Sequence, residues 1–240
     1  MPFRYEGESV VRCWCGGSLG PSRSLLVGEC QECGTGVLRQ RLTEASYERW
    51  YANGDYRRYV MGTDDVSAHQ LMKELRRGVN ACAFMRQAGF PISLHPDCSE
   101  GCTILDVGCG AGGGLLAARI AGAGKCVGVD SDPRSAWLHL QLGINIEQGL
   151  PIQIAWDRVV CSHLIEHIVR PVEFLRMLAM YLSPDGCLYI ETPAWTEKAE
   201  VKLPHVWYLR PQSLRLMAER AGLGVFAMTD GIQSVLRRTG

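Results

Sequence analysis

No stretch of this chain is apolar for the roughly 20 residues a bilayer-spanning helix needs, and Met1-Pro2-Phe3-Arg4-Tyr5-Glu6 lacks the apolar core of a secretory signal. A cytoplasmic protein without membrane association is therefore expected. An excess of either charge is also missing: Lys+Arg and Asp+Glu each total 25, for a formal net charge of zero. No global positive field exists to gather nucleic acid or anionic lipid, so a small-molecule partner is favoured. Length excludes two full catalytic domains, because 240 residues suit one α/β core with a small appendage.

Dense cysteine spacing is absent as well. Most of the eleven cysteines stand singly, and Cys82, Cys126, Cys161 and Cys187 read as small buried hydrophobes rather than disulfides. The exception is N-terminal, where Cys13-Trp14-Cys15-Gly16 is followed, after a polar loop, by Cys30-Gln31-Glu32-Cys33-Gly34. Two pairs at this separation indicate a zinc ribbon. Four thiolates close a tetrahedral site, and so short a segment has too little apolar area to fold without a clamp. The first pair is C-x-C, a tighter chelate than the C-x-x-C of the second, with Arg12 where the usual spacing puts a cysteine. Any zinc here is structural, since four thiolates leave no open position for a substrate.

Residues 103–114, Thr-Ile-Leu-Asp-Val-Gly-Cys-Gly-Ala-Gly-Gly-Gly, join an apolar run to a glycine cluster. Ile104, Leu105 and Val107 suit a buried parallel strand, and Gly108, Gly110 and Gly112 let the backbone turn tightly against a ligand. Leu115 to Arg119 favour a helix, so the loop lies at a strand-to-helix junction. Gly108, Gly110 and Gly113 also fit the G-x-G-x-x-G spacing of dinucleotide sites. Asp106 tilts the choice: a carboxylate beside a pyrophosphate is repelled, whereas it can receive an α-ammonium.

Ile-Leu-Asp-Val-Gly-Cys-Gly-Ala-Gly resembles the first motif of class I S-adenosylmethionine-dependent methyltransferases. The resemblance covers roughly residue 101 onward and implies an α/β, Rossmann-like, doubly wound and mostly parallel sheet with an antiparallel C-terminal hairpin. It implies S-adenosylmethionine as cofactor, held by Asp106, Gly108, Cys109 and Gly110. Cys126-Val127-Gly128-Val129-Asp130 reads as a second strand ending in an acid that accepts ribose hydroxyls, with Ser131 beside it and a helix over 133–142 beyond. Residues 144–147 can form a third strand, with Glu147 or Gln148 at the adenine edge.

Asp157 to Ser162 reads as a fourth strand whose carboxyl end is a ligand position in an open sheet, which places Ser162 at the cofactor. His163-Leu164-Ile165-Glu166-His167 follows, and resembles small-molecule members of the same family in carrying a Glu-His pair there. The pattern also spells the H-x-x-E-H signature of inverted zinc proteases. That reading fails because both histidines would need a long helix, whereas Arg170-Pro171 comes within a turn. His163, and after it His167, is the candidate general base with Glu166 as the accompanying acid; the duller alternative is that Glu166 and His167 only cap and pack the turn.

Four tyrosines (Tyr47, Tyr51, Tyr56, Tyr59) and Trp50 crowd residues 42–62, around a break at Asn53-Gly54-Asp55. They either line a pocket, with Tyr59 the substrate candidate, or pack ribbon against main domain. Leu71, Leu75, Val79, Cys82 and Met85 recur at helical spacing and predict a helix facing the sheet. Trp195 and His205, around the last strand-to-helix loop, are further substrate-side candidates by resemblance. The expected organisation is a zinc ribbon over 1–41, a helical connector or cap over 42–100, and the methyltransferase domain over 101–240. Ribbon and connector together resemble bacterial zinc-ribbon methyltransferases of sugar and natural-product pathways. Methylation of a hydroxyl on a small acceptor is thus expected; the alternatives are a zinc-ribbon RNA methyltransferase, which the balanced charge disfavours, and a non-catalytic cofactor-binding subunit.

Overall fold

Apolar side chains on both faces suit a strand to the middle of a sheet, and all four positions of β6 (Ile104–Val107) are buried. In the computed structural model this strand lies inside a seven-stranded sheet. The structure describes residues 5–239 except 23, 63–67, 93–100, 133, 136–143, 153–154, 197–199, 203 and 231. The elements before β6 are β1 (Gly7–Ser9), β2 (Leu19–Gly20), β3 (Val27–Cys30), β4 (Gly36–Leu38), β5 (Gln40–Leu42), α1 (Glu44–Ala52), α2 (Asp55–Met61) and α3 (Ala68–Gln87). After it come α4 (Gly113–Ile120), β7 (Cys126–Val129), β8 (Asn145–Glu147), β9 (Trp156–Ser162), a 3-10 turn (Ile165–His167) and α5 (Pro171–Met180). The chain closes with β10 (Leu182–Glu191), β11 (Trp207–Tyr208), α6 (Pro211–Arg220), β12 (Leu223–Met228) and β13 (Gln233–Arg238).

The large sheet runs β12-β13-β10-β9-β6-β7-β8, parallel from β10 to β8 and antiparallel at β13 and β12. The α/β fold and C-terminal hairpin expected from the sequence are therefore present. From β6 the chain moves outward through β7 to β8, then returns to β9 on the other side. That reversal opens a crevice at the carboxyl ends of β6 and β9, the place where open sheets bind ligands. The two strands are tied at their other end, where Asp157 accepts from Thr103 N (2.8 Å) and Thr103 Oγ1 (3.0 Å).

The helix expected from the 71–85 spacing is α3, but its buried face differs from the one the apolar residues suggested. Val79 is 53% exposed, and the buried positions are Gln70, Gly78, Ala81 and Met85. A Cβ at Gly78 would lie 2.7 Å from Ala117 Cβ and 2.8 Å from Gly114 Cα, so α3 crosses α4 too closely for larger side chains. Of the four single cysteines read as buried hydrophobes, Cys161 and Cys187 are fully buried, and Cys82 and Cys126 partly so. Most of the helix expected over 133–142 lies outside the described residues.

The N-terminal unit is stitched into the rest. β11 pairs antiparallel with β4, completing a small sheet in the order β11-β4-β3-β2. Cys33 O accepts from Ser213 Oγ at 3.0 Å, and Cys15 O from Arg220 Nη1 at 3.0 Å, so α6 holds both cysteine turns. Strand pairing and hydrogen bonds therefore cross the boundary expected near residue 41. Among the described residues no helix is long and apolar enough to cross a membrane.

Candidate active site

The glycine loop leaves β6 with Gly108, Gly110 and Gly112 at φ of 76°, 55° and 81°, conformations that side chains disfavour. It borders a cavity of about 680 Å³ whose lining includes Asp106, Gly108, Cys109, Gly110, Asp130 and Ser131. Ser162, His163 and His167 complete the wall from the β9 side. Residues spread over sixty positions of sequence thus meet at one crevice, because β6, β7 and β9 are neighbours in the sheet.

Acidic groups dominate the loop side. Asp130 Oδ2 accepts from Gly110 N (2.8 Å) and its Oδ1 from Asp132 N (2.9 Å), so the carboxylate shapes the loop while each oxygen keeps a lone pair. Asp106 is fully buried; desolvation, with Glu74 and Asp130 nearby, pushes its carboxyl up to about 7. Burial likewise raises Glu74 and Asp130, against the backbone hydrogen bonds that favour their charge. Glu74 escaped the sequence reading because it projects from α3, far from any motif. A Cβ on Gly110 would lie 2.6 Å from Glu74 Oε1. Gly110→Ala is accordingly expected to strain the loop and displace Glu74, costing about 1–2 kcal/mol; an unchanged thermal unfolding midpoint would contradict this.

Beside this group, Arg57 is buried with Nε 2.6 Å from Asp132 Oδ2 and Nη1 2.8 Å from Gln70 Oε1. The arginine pins α2 to the turn after β7. Burial works against ionisation of Asp132, but hydrogen bonds from Arg134 and Arg57 outweigh it and lower its carboxyl. Arg57, like Glu74, carries no signal in the sequence, being one of several charges interleaved with the aromatic residues of its segment.

On the opposite wall, His163 has a φ of 54° and its amide donates to Glu191 O at 2.7 Å. A non-glycine residue held in this region is strained, a cost that concentrates at functional sites. Its side chain is 26% exposed and its Nδ1 lies 3.4 Å from Glu166 Oε1. Glu166 is only 1% exposed. Burial opposes its charge, yet the contact with His163 and the three surrounding histidines hold its carboxyl down at about 2. His167 is buried, which lowers its imidazole; burial and His167 together push His205 down to about 4. Ser162 Oγ donates to Glu191 Oε2 at 2.9 Å.

Several candidates stand elsewhere than expected. Glu147, the last residue of an edge strand, accepts from Asn145 Nδ2 at 3.0 Å and is not in the cavity lining, whereas its neighbour Gln148 is. Tyr59 is 56% exposed and lies tilted against Trp50; Tyr47, Tyr51 and Tyr56 are the tyrosines that line the cavity. Trp195 is buried with Val27, Leu38 and Tyr208, against the small sheet that β11 completes. His205 is absent from the lining and stands edge-on to His167, ring centroids 4.8 Å apart. In each case the direction the side chain takes is set by its own element and neighbours, which spacing does not reveal.

The four N-terminal cysteines converge, with Sγ atoms all within 4.8 Å of one another. Cys13–Cys33 and Cys15–Cys30 sulfurs are 3.6 and 3.4 Å apart. A tetrahedral zinc with bonds of about 2.3 Å needs sulfur separations of about 3.8 Å, so the set fits that ion despite the C-x-C pair. Gly16 and Gly34, at φ of 93° and 71°, form the turns behind the pairs.

Comparison with known proteins agrees with this architecture. The ubiquinone biosynthesis O-methyltransferase of Chromobacterium violaceum is 30% identical over 156 residues, 51% of this chain; the chain spans 64% of that relative's length. By structure, the 1,6-didemethyltoxoflavin-N1-methyltransferase of Burkholderia thailandensis matches with a TM-score of 0.59 at 14% identity, over 92% of this chain and 99% of that one. Magnesium protoporphyrin IX methyltransferase from Synechocystis PCC 6803 matches with a TM-score of 0.55 at 16% identity, over 81% and 99% of the two chains. The family model described as "Methyltransferase domain" matches residues 67–227, well over half the chain. With the sheet order, the glycine loop and this match in agreement, the chain belongs to the methyltransferase-domain family, in the fold shared by class I S-adenosylmethionine-dependent enzymes.

Proposed function

We propose that this chain transfers the methyl group of S-adenosylmethionine to a hydroxyl of a small metabolite, sugar or natural-product intermediate. The observation that carries this reading is the grouping of Asp106, Glu74 and Asp130 around the glycine loop. Three carboxylates repel a pyrophosphate, which argues against the dinucleotide alternative, and they suit a ligand bearing an ammonium and a sulfonium. Asp106 would meet the ammonium, Asp130 the ribose hydroxyls and Gln148, in place of Glu147, the adenine edge. Gly108, Cys109 and Gly110 would supply close backbone, with Ser131 and Ser162 at the rim.

The bound donor brings its own leaving group, so the protein's share is placement and proton removal. His163 lines the cavity and can take the acceptor proton, which Glu166 stabilises from 3.4 Å. His167 Nδ1 is engaged by Pro204 O at 2.9 Å and suits a positioning role. The apolar, aromatic wall of Tyr51, Tyr56, Leu150 and Phe174 fits a small ring-bearing acceptor. The cysteine cluster would hold structural zinc, and a cytoplasmic setting fits a metabolite acceptor.

Calorimetric titration tests the donor site. S-adenosylmethionine is expected to bind and NADH not. Because Asp106 in the free protein holds its proton up to about pH 7, donor affinity should rise as pH climbs through that value and level off above it, with proton release on binding. Asp106→Asn should weaken binding about 100-fold, as for loss of one member of a buried charge pair, and abolish the pH dependence. Equal affinity in the variant would defeat the assignment.

A further inference from the structure

We propose that Glu166, His167 and His205 form a site for one divalent first-row transition-metal ion in the cavity wall. Each offers a ligand atom, all lie within 4.8 Å of one another, and all come from two segments that backbone hydrogen bonds hold together. Val206 N donates to Glu166 O at 2.9 Å and Trp207 Nε1 to Ile168 O at 2.7 Å, fixing the loop that carries His205 against the turn that carries the other two.

Two features point to a bound cation. Glu166 Oε2 is buried without a hydrogen-bond partner among the described residues, and Oε1 makes no hydrogen bond, with His163 Nδ1 beside it at 3.4 Å, a costly state that evolution rarely leaves uncompensated. Moreover, His167 Nδ1 must donate to the Pro204 carbonyl, 2.9 Å away, since a carbonyl can only accept. That leaves a lone pair on Nε2, which faces Glu166 Oε1 at 4.0 Å. Two electron-pair donors thus confront each other, too far apart for a hydrogen bond and at the separation of ligands reaching for one ion with bonds of about 2.0–2.2 Å. Orientation of a ligating imidazole through its other nitrogen is the usual support for such a site, and Tyr51 Oη, 3.0 Å from Nδ1, adds to it.

Two imidazoles and a carboxylate select zinc, cobalt, nickel, iron or manganese over magnesium and calcium, which prefer oxygen. Three protein ligands leave positions open, and of the three His167 reaches the cavity surface, the side from which an acceptor would approach. Resting on the methyl-transfer reading, the ion would bind the acceptor hydroxyl oxygen and ease loss of its proton to His163. The oxygen pair then forms the bond to the methyl carbon, and the carbon–sulfur pair stays on sulfur as a neutral thioether.

The test titrates the full chain, its cysteine cluster already loaded with zinc, with Co²⁺, followed by calorimetry and visible absorption. One further equivalent is expected, without the thiolate charge-transfer band that marks cysteine-bound cobalt. Glu166→Gln and His205→Gln should each weaken this equivalent at least about tenfold, while cysteine-bound zinc stays at one equivalent and circular dichroism shows which variant folds. Cobalt found only at thiolates up to millimolar concentration, or bound equally by the folded variants, overturns the proposal. The titration needs neither donor nor acceptor. Failure to bind S-adenosylmethionine would therefore sink the methyl-transfer reading while the cobalt result stands, and an unoccupied second equivalent would sink the metal site while leaving that reading intact.

Discussion

His163→Asn should lower the rate of methyl transfer by about 10²- to 10⁴-fold, the range that general-base assistance contributes, with donor affinity little changed. Asparagine is the informative replacement because His163 has a φ of 54°. Among residues other than glycine, asparagine tolerates that conformation best, so the turn survives while the basic nitrogen is lost. Formation of S-adenosylhomocysteine, measured with an acceptor drawn from a screen of sugar and phenolic hydroxyls, gives the rate. Exogenous imidazole should restore part of it. A variant that turns over at the parent rate would leave proton removal to water or another group, and His163 to a structural part.

Loss of the cysteine cluster should damage the whole fold and not the N-terminal segment alone. Cys13, Cys30 and Cys33 are buried, and the Cys33 and Cys15 carbonyls are the acceptors through which α6 is held. Freeing the turns would unpair β11 from β4 and expose Trp195. A structural zinc site in isolated peptides is worth about 10–16 kcal/mol; with the rest of the protein still folded, a loss of about 5 kcal/mol is a reasonable scale, equal to about 10–20 °C in the unfolding midpoint. Scanning calorimetry of Cys33→Ser, and of the parent chain with a strong chelator, should show that fall. Elemental analysis should find zinc at one equivalent or above in the parent. Unchanged transitions, or zinc far below one equivalent, would reduce the four residues to turn cysteines.

Local chemistry was legible where one stretch of chain does the whole job. The strand, acid and glycines of residues 104–112 specify a tight turn because the requirement is for missing side chains at fixed positions, and Gly108, Gly110 and Gly112 adopt positive φ values there. The paired cysteines are of the same kind. Glu74 and Arg57 were not legible, since a charge on an amphipathic helix looks the same whether it faces solvent or a cavity; only the crossing of α3 over α4, permitted by Gly78, turns Glu74 inward. Tyr59, Trp195 and Glu147 lie outside the cavity lining. Each is of a type common in binding sites and near a motif, yet its own element turns it toward solvent, the small N-terminal sheet or an edge-strand neighbour.

By itself the sequence determined the fold class, the glycine loop after the first strand of the large sheet and the cysteine cluster, because hydrophobic period and turn residues act over a few positions. The tertiary structure decided the charge of the binding site and the company its histidines keep. Asp106 gains its elevated proton affinity from burial, with Glu74 and Asp130 beside it, and Glu166 and His167 meet His205, only because packing and the β11 pairing bring distant segments within a few ångströms. Electrostatic and ligating properties depend on distance and burial, and those are set by packing across the chain and not along it.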